Sequence, residues 1–483
     1  PVAALLILLF VDIDVANPLT TRMAAVTVWV AIWWMTEIVH LAVTSLLPFL
    51  LIPLLGIADT TTIANEYMDP IMFLFIGGFI LAIAIERWDL HKRIALRILM
   101  RVGKNPATIL AGVMGVSYFF SMWISNTATV LMLLAAITAV VHKIEETLSK
   151  SNTNEAENET KTSKNKVATG LFIGLAYSAT IGGMTTLVGT PPNMVFFRFY
   201  EKFFPNNHDI DFASWFSIGF PISLLFLTAA YFVLRLLFIP KKDNIPLEPA
   251  YFKEEFKKLG KLRYEEKVVS LIFSATALLW FTRAGIDFGS FKIPGWKNIF
   301  PNPDNIQDGT VAIAMALLLF FIPSKSEKGK MLMSWDEAKQ LPFHILLLFG
   351  SGFALAKGFE LSGLSHWLAI KLEFMKGVPP ILLILALCTL VTVISEFASN
   401  VASIQLMLPI ILPLVEVLDV HPLTLMLPAT LAASLGFMLP IATAPNTIVF
   451  GSNRIKVSDM MVAGFILNLI GILMITAGVM LLK

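Results

Sequence analysis

Two short polar turns interrupt apolar runs, and their residue types are those that bind small ions inside a membrane. The first turn lies between the apolar segments 107–124 and 128–141 and contains Ser121, Ser125, Asn126 and Thr127. Ser, Asn and Thr favour helix N-caps, so a helix that restarts there would present free backbone N–H groups to an anion. Carbonyl and hydroxyl oxygens in the same turn are hard ligands that suit a small cation. Alternatively, Ser and Asn could simply cap a tight turn and bond across helices.

The turn occurs twice, which favours a binding site over a structural cap. Residues 74–95 (LFIGGFILAIAIERWDLHKRIA) align without a gap on residues 348–369 (LFGSGFALAKGFELSGLSHWLA), and nine of 22 positions are identical. The same offset of 274 places Ser125-Asn126-Thr127 on Ser399-Asn400-Val401. Two hydrophobic halves with matching polar interruptions are typical of secondary transporters.

A second pair of motifs places Pro in the middle of apolar runs. The sequences are GTPPN at 189–193 and ATAPN at 442–446. Each run has about 30 residues, which is too long for one straight membrane span. Proline removes a helix hydrogen bond, so each helix should break there. Half-helices that meet at mid-membrane expose carbonyls to sodium and N–H groups to a carboxylate, although a packing kink is the alternative.

The composition is that of a polytopic membrane protein. Of the 483 residues 56% are hydrophobic and 14% are charged, against roughly 25% charged in soluble domains. The net charge of +2 gives no nucleic-acid footprint, and the single Cys388 excludes an intramolecular disulfide or a cysteine metal cluster. Motifs of ATPases, metalloenzymes or intramembrane proteases do not occur in the sequence.

The distribution of Lys and Arg predicts the orientation. Residues 87–104 carry six, 241–267 carry eight and 325–339 carry four, whereas 12–21 carry none and 285–309 carry two. The positive-inside rule makes the first three segments cytoplasmic.

The polar segment 143–166 should also be inside, as a flexible connection, so residues 107–141 must form a hairpin that enters the membrane and returns. We therefore predict an all-α protein in the cell (inner or plasma) membrane, with about 11 transmembrane helices and two re-entrant helical hairpins in inverted-topology repeats. The opening segment 1–10 would be the trimmed end of a first spanning helix. The N-terminus would be cytoplasmic and the C-terminus outside. Amphipathic interfacial helices are expected within 90–102 and 246–267, with ordinary solvated linker helices as the alternative.

At these residues the chain resembles a known family. Residues 433–449 (ASLGFMLPIATAPNTIV) are similar to the signature of the divalent anion/sodium symporters, which include sodium-dependent dicarboxylate, citrate and sulfate carriers. The Ser-Asn-Thr turn, the GTPPN break and the inverted repeat also match, so the resemblance covers nearly the whole chain. It implies a homodimer of elevator type, in which a scaffold stays fixed while the hairpins and broken helices carry the substrate.

The elevator architecture that the resemblance implies would divide the chain into five segments. These are scaffold helices of the first half at 1–105, the first transport half at 106–239, a cytoplasmic amphipathic linker at 240–267, scaffold helices of the second half at 268–376, and the second transport half at 377–483.

The resemblance also implies residue roles. One sodium site would use Ser121, Ser125, Asn126 and the backbone at Gly189. The other would use Ser395, Ala398, Asn400 and the backbone at Ala442. Substrate carboxylates would meet Asn126, Thr127, Asn400 and Thr443. The chain departs from the symmetric pattern at Val401, where a second Thr would supply a hydroxyl, and at Ala444, which stands where the first repeat has Pro191.

Ionisable residues in the apolar runs are functional candidates. Glu396 is the best placed, either bonding the hairpin backbone or sensing protons, whereas snorkelling or pairing suffices for Glu37, Glu86, Lys357 and Glu360. The expected function is sodium-coupled import of C4 dicarboxylates such as succinate, malate or fumarate, with the dicarboxylate, sodium, the bilayer and a second copy as partners and no nucleic acid. Sodium-independent dicarboxylate exchange, or sulfate or citrate transport, is the alternative. A channel would instead need continuous polar rings along a pore.

Overall fold

The computed structural model describes residues 1–102, 105–150, 157–205, 210–239, 250–287 and 292–481, and most of them are helical. The α-helices are α1 (Val2–Phe10), α2 (Pro18–Thr36), α3 (Leu41–Thr44), α4 (Leu47–Leu54), α5 (Thr60–Glu66), α6 (Ile71–Arg87), α7 (Leu90–Val102), α8 (Pro106–Ser121), α9 (Asn126–Lys150), α10 (Glu157–Gly183), α11 (Pro191–Phe203), α12 (Phe212–Phe238), α13 (Ala250–Lys258), α14 (Tyr264–Thr282), α15 (Asp308–Phe321), α16 (Trp335–Ala338), α17 (Phe343–Ser362), α18 (Leu364–Leu372), α19 (Pro380–Phe397), α20 (Asn400–Leu418), α21 (Leu423–Ala432), α22 (Ala444–Phe450) and α23 (Val457–Leu481).

The expected helical membrane architecture is confirmed, with one small exception. A two-stranded antiparallel ribbon, β1 (Gly285–Asp287) and β2 (Lys292–Pro294), interrupts the all-α pattern. Within the described residues six helical segments are long and apolar enough to cross a membrane: Thr60–Arg87, Phe212–Phe238, Phe343–Ser362, Pro380–Phe397, Asn400–Leu418 and Val457–Leu481. The total of eleven spans stays a prediction.

Both predicted hairpins consist of two helices with a short turn between them. In the first, α8 ends at Ser121 and α9 begins at Asn126; in the second, α19 ends at Phe397 and α20 begins at Asn400. The polar segment expected to be a flexible loop is more helical than predicted, because α9 runs to Lys150 and α10 begins at Glu157. Its residues 151–156 lie outside the described part of the chain.

Both Pro-containing runs are broken into two helices. The first run consists of α10 and α11, which are separated by residues 184–190. The second consists of α21 and α22, which are separated by residues 433–443. Each second half-helix begins with the motif proline at its first or second position, where the missing N–H is not needed.

The buried apolar side chains form two clusters. The smaller cluster joins α2, α4, α5 and α17 through residues such as Met23, Trp34, Ile52 and Phe359. The larger cluster contains most of the other helices, including both hairpins and both broken helices. The helices that carry the turns and breaks therefore lie mostly in the larger cluster, to which α17 also contributes Phe349 and Phe353, while Ala402 of α20 lies in the smaller one.

Ion pairs and hydrogen bonds bring the three basic segments together on one face. Arg93 of α7 pairs with Glu266 at the start of α14 and donates to the Gly260 carbonyl at 2.9 Å. Arg87 pairs with Glu337 and donates to the Leu332 carbonyl at 2.9 Å. On the opposite face Arg283 pairs with Asp308 at 2.5 Å. The predicted segment 90–102 forms α7, and the segment 246–267 contains α13 and the start of α14, with residues 246–249 outside the described part of the chain. Arg93 lies over the Phe256 ring of α13.

Candidate functional site

One cavity of about 420 Å³ brings both turns and both breaks together. Its walls come from the two hairpin turns, the two breaks, and the ends of α2 and α17 with part of α6. The lining residues are Met35, Thr36, Glu37, Phe79, Ser125, Asn126, Thr127, Val188, Gly189, Thr190, Pro191, Ile345, Phe397, Ala398, Ser399, Asn400, Val401, Ile441, Ala442, Thr443, Ala444 and Pro445. All four residues expected to contact substrate line this one cavity, as do six of the eight expected to bind sodium.

The two turns have the same local geometry. In the first, the Ser121 hydroxyl donates to Asn126 Oδ1 at 2.5 Å; in the second, the Ser395 hydroxyl lies 2.9 Å from Asn400 Oδ1 and also meets the Ala433 carbonyl, so its one proton has two acceptors. Ser125 and Ser399 each cap the returning helix by accepting a backbone N–H three residues later, at 3.2 Å in both turns. Each turn therefore presents side-chain oxygens and the start of a helix to the cavity.

Ser121 and Ser395 lie behind the turns. Both serines are fully buried, and neither lines the cavity. Among the described residues, no hydrogen-bond donor meets the backbone carbonyl of Gly189 or of Ala442. Each turn and its neighbouring break therefore hold several oxygen atoms that could bind a small cation behind the cavity wall.

Asn193 and Asn446 hold the two breaks in the same way. The Asn193 amide donates to the carbonyls of Gly183 at 3.0 Å and Thr186 at 2.8 Å. The Asn446 amide donates to the carbonyls of Gly436 at 3.0 Å and Leu439 at 3.1 Å. Because unwound backbone inside a membrane must find partners within the protein, these amides stabilise the open turns. Both asparagines end the Pro-containing motifs, but the sequence alone predicted no role for them.

Glu396 holds the second break through its carboxylate. It accepts backbone N–H groups from Phe437 at 2.9 Å and Leu439 at 3.1 Å, while both of its oxygens accept from Met438. The Asn468 amide donates to it at 2.6 Å. Of the two roles considered, backbone bonding is the one that the structure supports, but the backbone is that of the break rather than that of the hairpin.

The other ionisable candidates differ in their surroundings. Lys357 and Glu360 pair with each other at 3.0 Å, as expected for residues near a helix end. His40 accepts the N–H of Ala42, and its ring meets that of His344 edge to face with 5.7 Å between centroids. Glu37 was expected to snorkel or pair, yet it lines the cavity.

The described residues that line the cavity include no Lys, Arg or His, and Glu37 is the one charged residue among them. Neutralising a bound anion would therefore fall to cations and to backbone N–H groups at the helix starts. Thr443 also lines the cavity, and its side chain caps the start of α22 by accepting the Asn446 N–H at 3.3 Å.

Close packing at Gly183 ties the first turn to the first break. A Cβ at Gly183 would lie 2.6 Å from Asn126 Oδ1, whereas a Cβ at Gly115 of α8 would meet nothing within 4 Å. We expect Gly183→Ala to lower the free energy of unfolding by about 1–3 kcal/mol through overpacking. Gly115→Ala, the matched control, should be neutral or stabilising. Thermal unfolding of the purified variants in detergent measures the difference. Equal unfolding temperatures for the two variants would show that the turn has room to move away.

Comparison with known proteins gives one consistent result. The family model described as the transmembrane region of sodium:sulfate symporters matches residues 1–482. The sodium-dependent dicarboxylate transporter SdcS of Staphylococcus aureus strain NCTC 8325 / PS 47 is 40% identical over 453 residues, which are 93% of this chain and 84% of that protein. SdcS of S. aureus strain bovine RF122 matches with the same identity and coverage.

Two solved structures of transporters share the fold at low sequence identity. MtrF of Neisseria gonorrhoeae aligns with a TM-score of 0.55 and 12% identity, over 93% of this chain and 96% of that one. The YdaH transporter of Alcanivorax borkumensis aligns with a TM-score of 0.52 and 13% identity, over 87% and 86% of the two chains. At these identities the likeness concerns the fold alone.

Proposed function

This chain belongs to the sodium:sulfate symporter family, and we propose that it carries small dicarboxylate anions into the cell together with sodium ions. Members of this family are sodium-coupled membrane carriers and not enzymes. The observation that carries the proposal is the single cavity lined by both Ser-Asn turns and both breaks, with no cationic side chain in its wall. A dianion can enter such a cavity when cations enter with it.

Each turn and its neighbouring break form one sodium site in this proposal. The first site uses Ser121, Ser125, Asn126 and the Gly189 carbonyl; the second uses Ser395, Ala398, Asn400 and the Ala442 carbonyl. Two observations support these sites: the matched Ser–Asn hydrogen bonds, and the two carbonyls that no described donor meets. The positive ends of α9 and α20, and the sodium ions behind them, would attract carboxylates.

The two-fold arrangement suits a substrate with a carboxylate at each end. One carboxylate would contact Asn126 and Thr127, and the other would contact Asn400 and Thr443, since all four residues line the cavity. A volume of about 420 Å³ is typical of small-molecule sites. C4 dicarboxylates such as succinate, malate and fumarate are the proposed cargo.

We infer that the cavity opens toward the side of the membrane on which the basic segments lie. Its scaffold residues Met35, Thr36 and Glu37 end α2, and Ile345 begins α17, directly after the basic segment 325–339. With that face assigned to the cytoplasm by the positive-inside rule, the conformation is inward-facing. The N-terminus would then be cytoplasmic and the C-terminus outside.

We further propose an elevator motion within a homodimer. One observation supports a fixed part: the core residues of α2 lie in the smaller cluster, apart from most of the hairpin and broken-helix residues, whereas α6 and α15 of the expected scaffold share the larger cluster with them. Segments 1–105 and 268–376 would be the scaffold, 106–239 and 377–483 the transport halves, and 240–267 the cytoplasmic linker.

Uptake of radiolabelled succinate into proteoliposomes tests the function. We expect uptake with an inward sodium gradient, and none with lithium, potassium or proton gradients alone. Competition by unlabelled sulfate, citrate and other dicarboxylates identifies the cargo. Succinate exchange that ignores sodium, or uptake displaced more strongly by sulfate or citrate, would replace the proposal with one of those activities on the same fold.

Thr127 provides a sharper test of the substrate contact. It is the one Thr of the two turns, lines the cavity, and has Val401 as its counterpart. A hydroxyl that bonds a carboxylate contributes about 1.5–3 kcal/mol, or roughly ten- to a hundredfold in affinity. We expect Thr127→Val to weaken succinate binding by that factor, and Val401→Thr to change selectivity more than rate. Unaltered succinate affinity in Thr127→Val would leave backbone N–H groups as the substrate ligands.

A further inference from the structure

Glu37 lines the cavity but belongs neither to the two turns nor to the two breaks. It ends α2 in the left-handed conformation, with φ of 45°, and its side chain is exposed in the cavity wall. None of the ion pairs or side-chain hydrogen bonds among the described residues involves Glu37, so no described cation pairs with it. An ionisable residue in the wall of a cavity between transmembrane segments is a candidate for a role in transport.

Glu37 belongs to the part of the molecule that the proposed motion leaves fixed. Met23, Val26, Val30 and Trp34 of the same helix lie in the smaller core with α17. The turn and break residues that would hold substrate belong to the hairpins and broken helices. The distance between Glu37 and the substrate would therefore change when the transport halves move, and would be shortest in the conformation seen here.

We propose that Glu37 lowers the affinity for dianionic substrate selectively when the cavity faces the cytoplasm, and thereby favours release into the cell. The inference rests on the proposed function and on its inward-facing assignment. Both the carboxylate and the C-terminal end of α2, with its partial negative charge, lie in the wall of the cavity that the substrate would occupy.

In this proposal the substrate carboxylates, rather than the sodium ions, share the open cavity with Glu37. Six of the eight residues proposed to bind sodium line the cavity, but the ions would also contact Ser121 and Ser395, which lie behind the turns and are fully buried. The carboxylates of the substrate would occupy the open cavity itself. Repulsion between like charges across a water-filled cavity changes binding by roughly three- to tenfold, since the high dielectric of water weakens it.

Membrane vesicles of both orientations, right-side-out and inside-out, measure the effect. Succinate exchange with equal sodium on both sides and no membrane potential gives a half-saturating concentration for each face. In Glu37→Gln we expect the ratio of the cytoplasmic to the outer value to fall about three- to tenfold. Glu37→Gly should give the same result, because glycine accepts the positive φ of this position without strain.

Two matched variants test whether the effect requires a negative charge and whether that charge must be at position 37. Glu37→Asp keeps the charge and should keep the ratio near that of the unmodified protein. Glu360→Gln removes an exposed scaffold carboxylate that pairs with Lys357, away from the cavity lining, and should leave the ratio unchanged.

The outcomes distinguish this inference from the proposed function. An unchanged ratio in active Glu37→Gln and Glu37→Gly, or an equal gain in affinity at both faces, would overturn the side-specific role alone. If the unmodified protein shows no sodium-dependent dicarboxylate uptake, both the proposed function and this inference fall.

Discussion

Asn126→Ala and Asn400→Ala should each abolish sodium-dependent transport while the protein still folds. Each asparagine accepts a hydrogen bond from a buried serine through the oxygen proposed to bind sodium, and each also lines the substrate cavity. One truncation would therefore remove a cation ligand and a substrate contact together. With about 1.5–3 kcal/mol for each charged contact, the expected loss is roughly a hundredfold or more in uptake at limiting substrate.

The measurement combines uptake with folding controls. Asn298→Ala, which truncates an exposed asparagine outside the cavity lining, should transport normally. Size-exclusion chromatography in detergent should show the same oligomer for all three variants. Stabilisation against heat by sodium should be reduced in both cavity variants. Transport at the normal rate with unchanged sodium dependence would remove these asparagines from the site.

Coupling between Ser121 and Asn126 refines this test. Because their side chains are hydrogen-bonded, Ser121→Ala in the Asn126→Ala background should add little to the loss. The pair Ser395 and Asn400 should show the same coupling, although the Ser395 hydroxyl also meets the Ala433 carbonyl. Additive losses would mean that the serines and asparagines act at separate places.

The features of the fold that were predictable are those with short-range physical causes. The breaks between α10 and α11 and between α21 and α22 were predicted because each apolar run is too long for one span and contains Pro. The turns were predicted from the preference of Ser and Asn for helix N-caps, and Ser125 and Ser399 do cap α9 and α20. The offset of 274 residues between the repeats then predicted the position of the second turn from that of the first.

Contacts between distant segments could not be predicted from the sequence. Glu396 bonds backbone groups 41 to 43 residues further along, and no local pattern identifies such partners. Glu37 was grouped with residues near span ends because its place in the cavity depends on how α2 meets the turns. The helical ends of the polar segment 143–166 were missed because its few apolar residues were taken to predict flexibility.

The two repeats hold equivalent breaks with different chemistry. In the first, the Thr186 hydroxyl donates to the Met122 carbonyl and accepts the Gly189 N–H at 3.0 Å. In the second, Glu396 occupies the position equivalent to Met122 and binds the break with its carboxylate. A backbone carbonyl and a Thr hydroxyl hold one break and a carboxylate holds the other, so the two sodium sites should not respond equally to the loss of Glu396.

Glu396→Gln should destabilise the protein and weaken the second sodium site. Gln keeps the shape but has one acceptor oxygen, and its NH₂ group would face the N–H groups of Met438 or Leu439, which point at Oε2. Each buried donor left unpaired costs about 1–3 kcal/mol. Ala442 follows Leu439 by three residues, so displacement of the break should also move its carbonyl. We expect lower thermal stability and at least about a tenfold rise in the sodium concentration for half-maximal uptake.

Glu416→Gln makes the same chemical change at an exposed position of the same hairpin and is the matched control. Asn468→Ala removes one donor to Glu396 without touching the break, so its effect should lie between the two. Heat unfolding in detergent and sodium titration of succinate uptake report the two consequences separately. A Glu396→Gln variant as stable as Glu416→Gln, with the same sodium dependence, would mean that the amide satisfies the break as well as the carboxylate does. The charge of Glu396 would then have no part in holding the second sodium site.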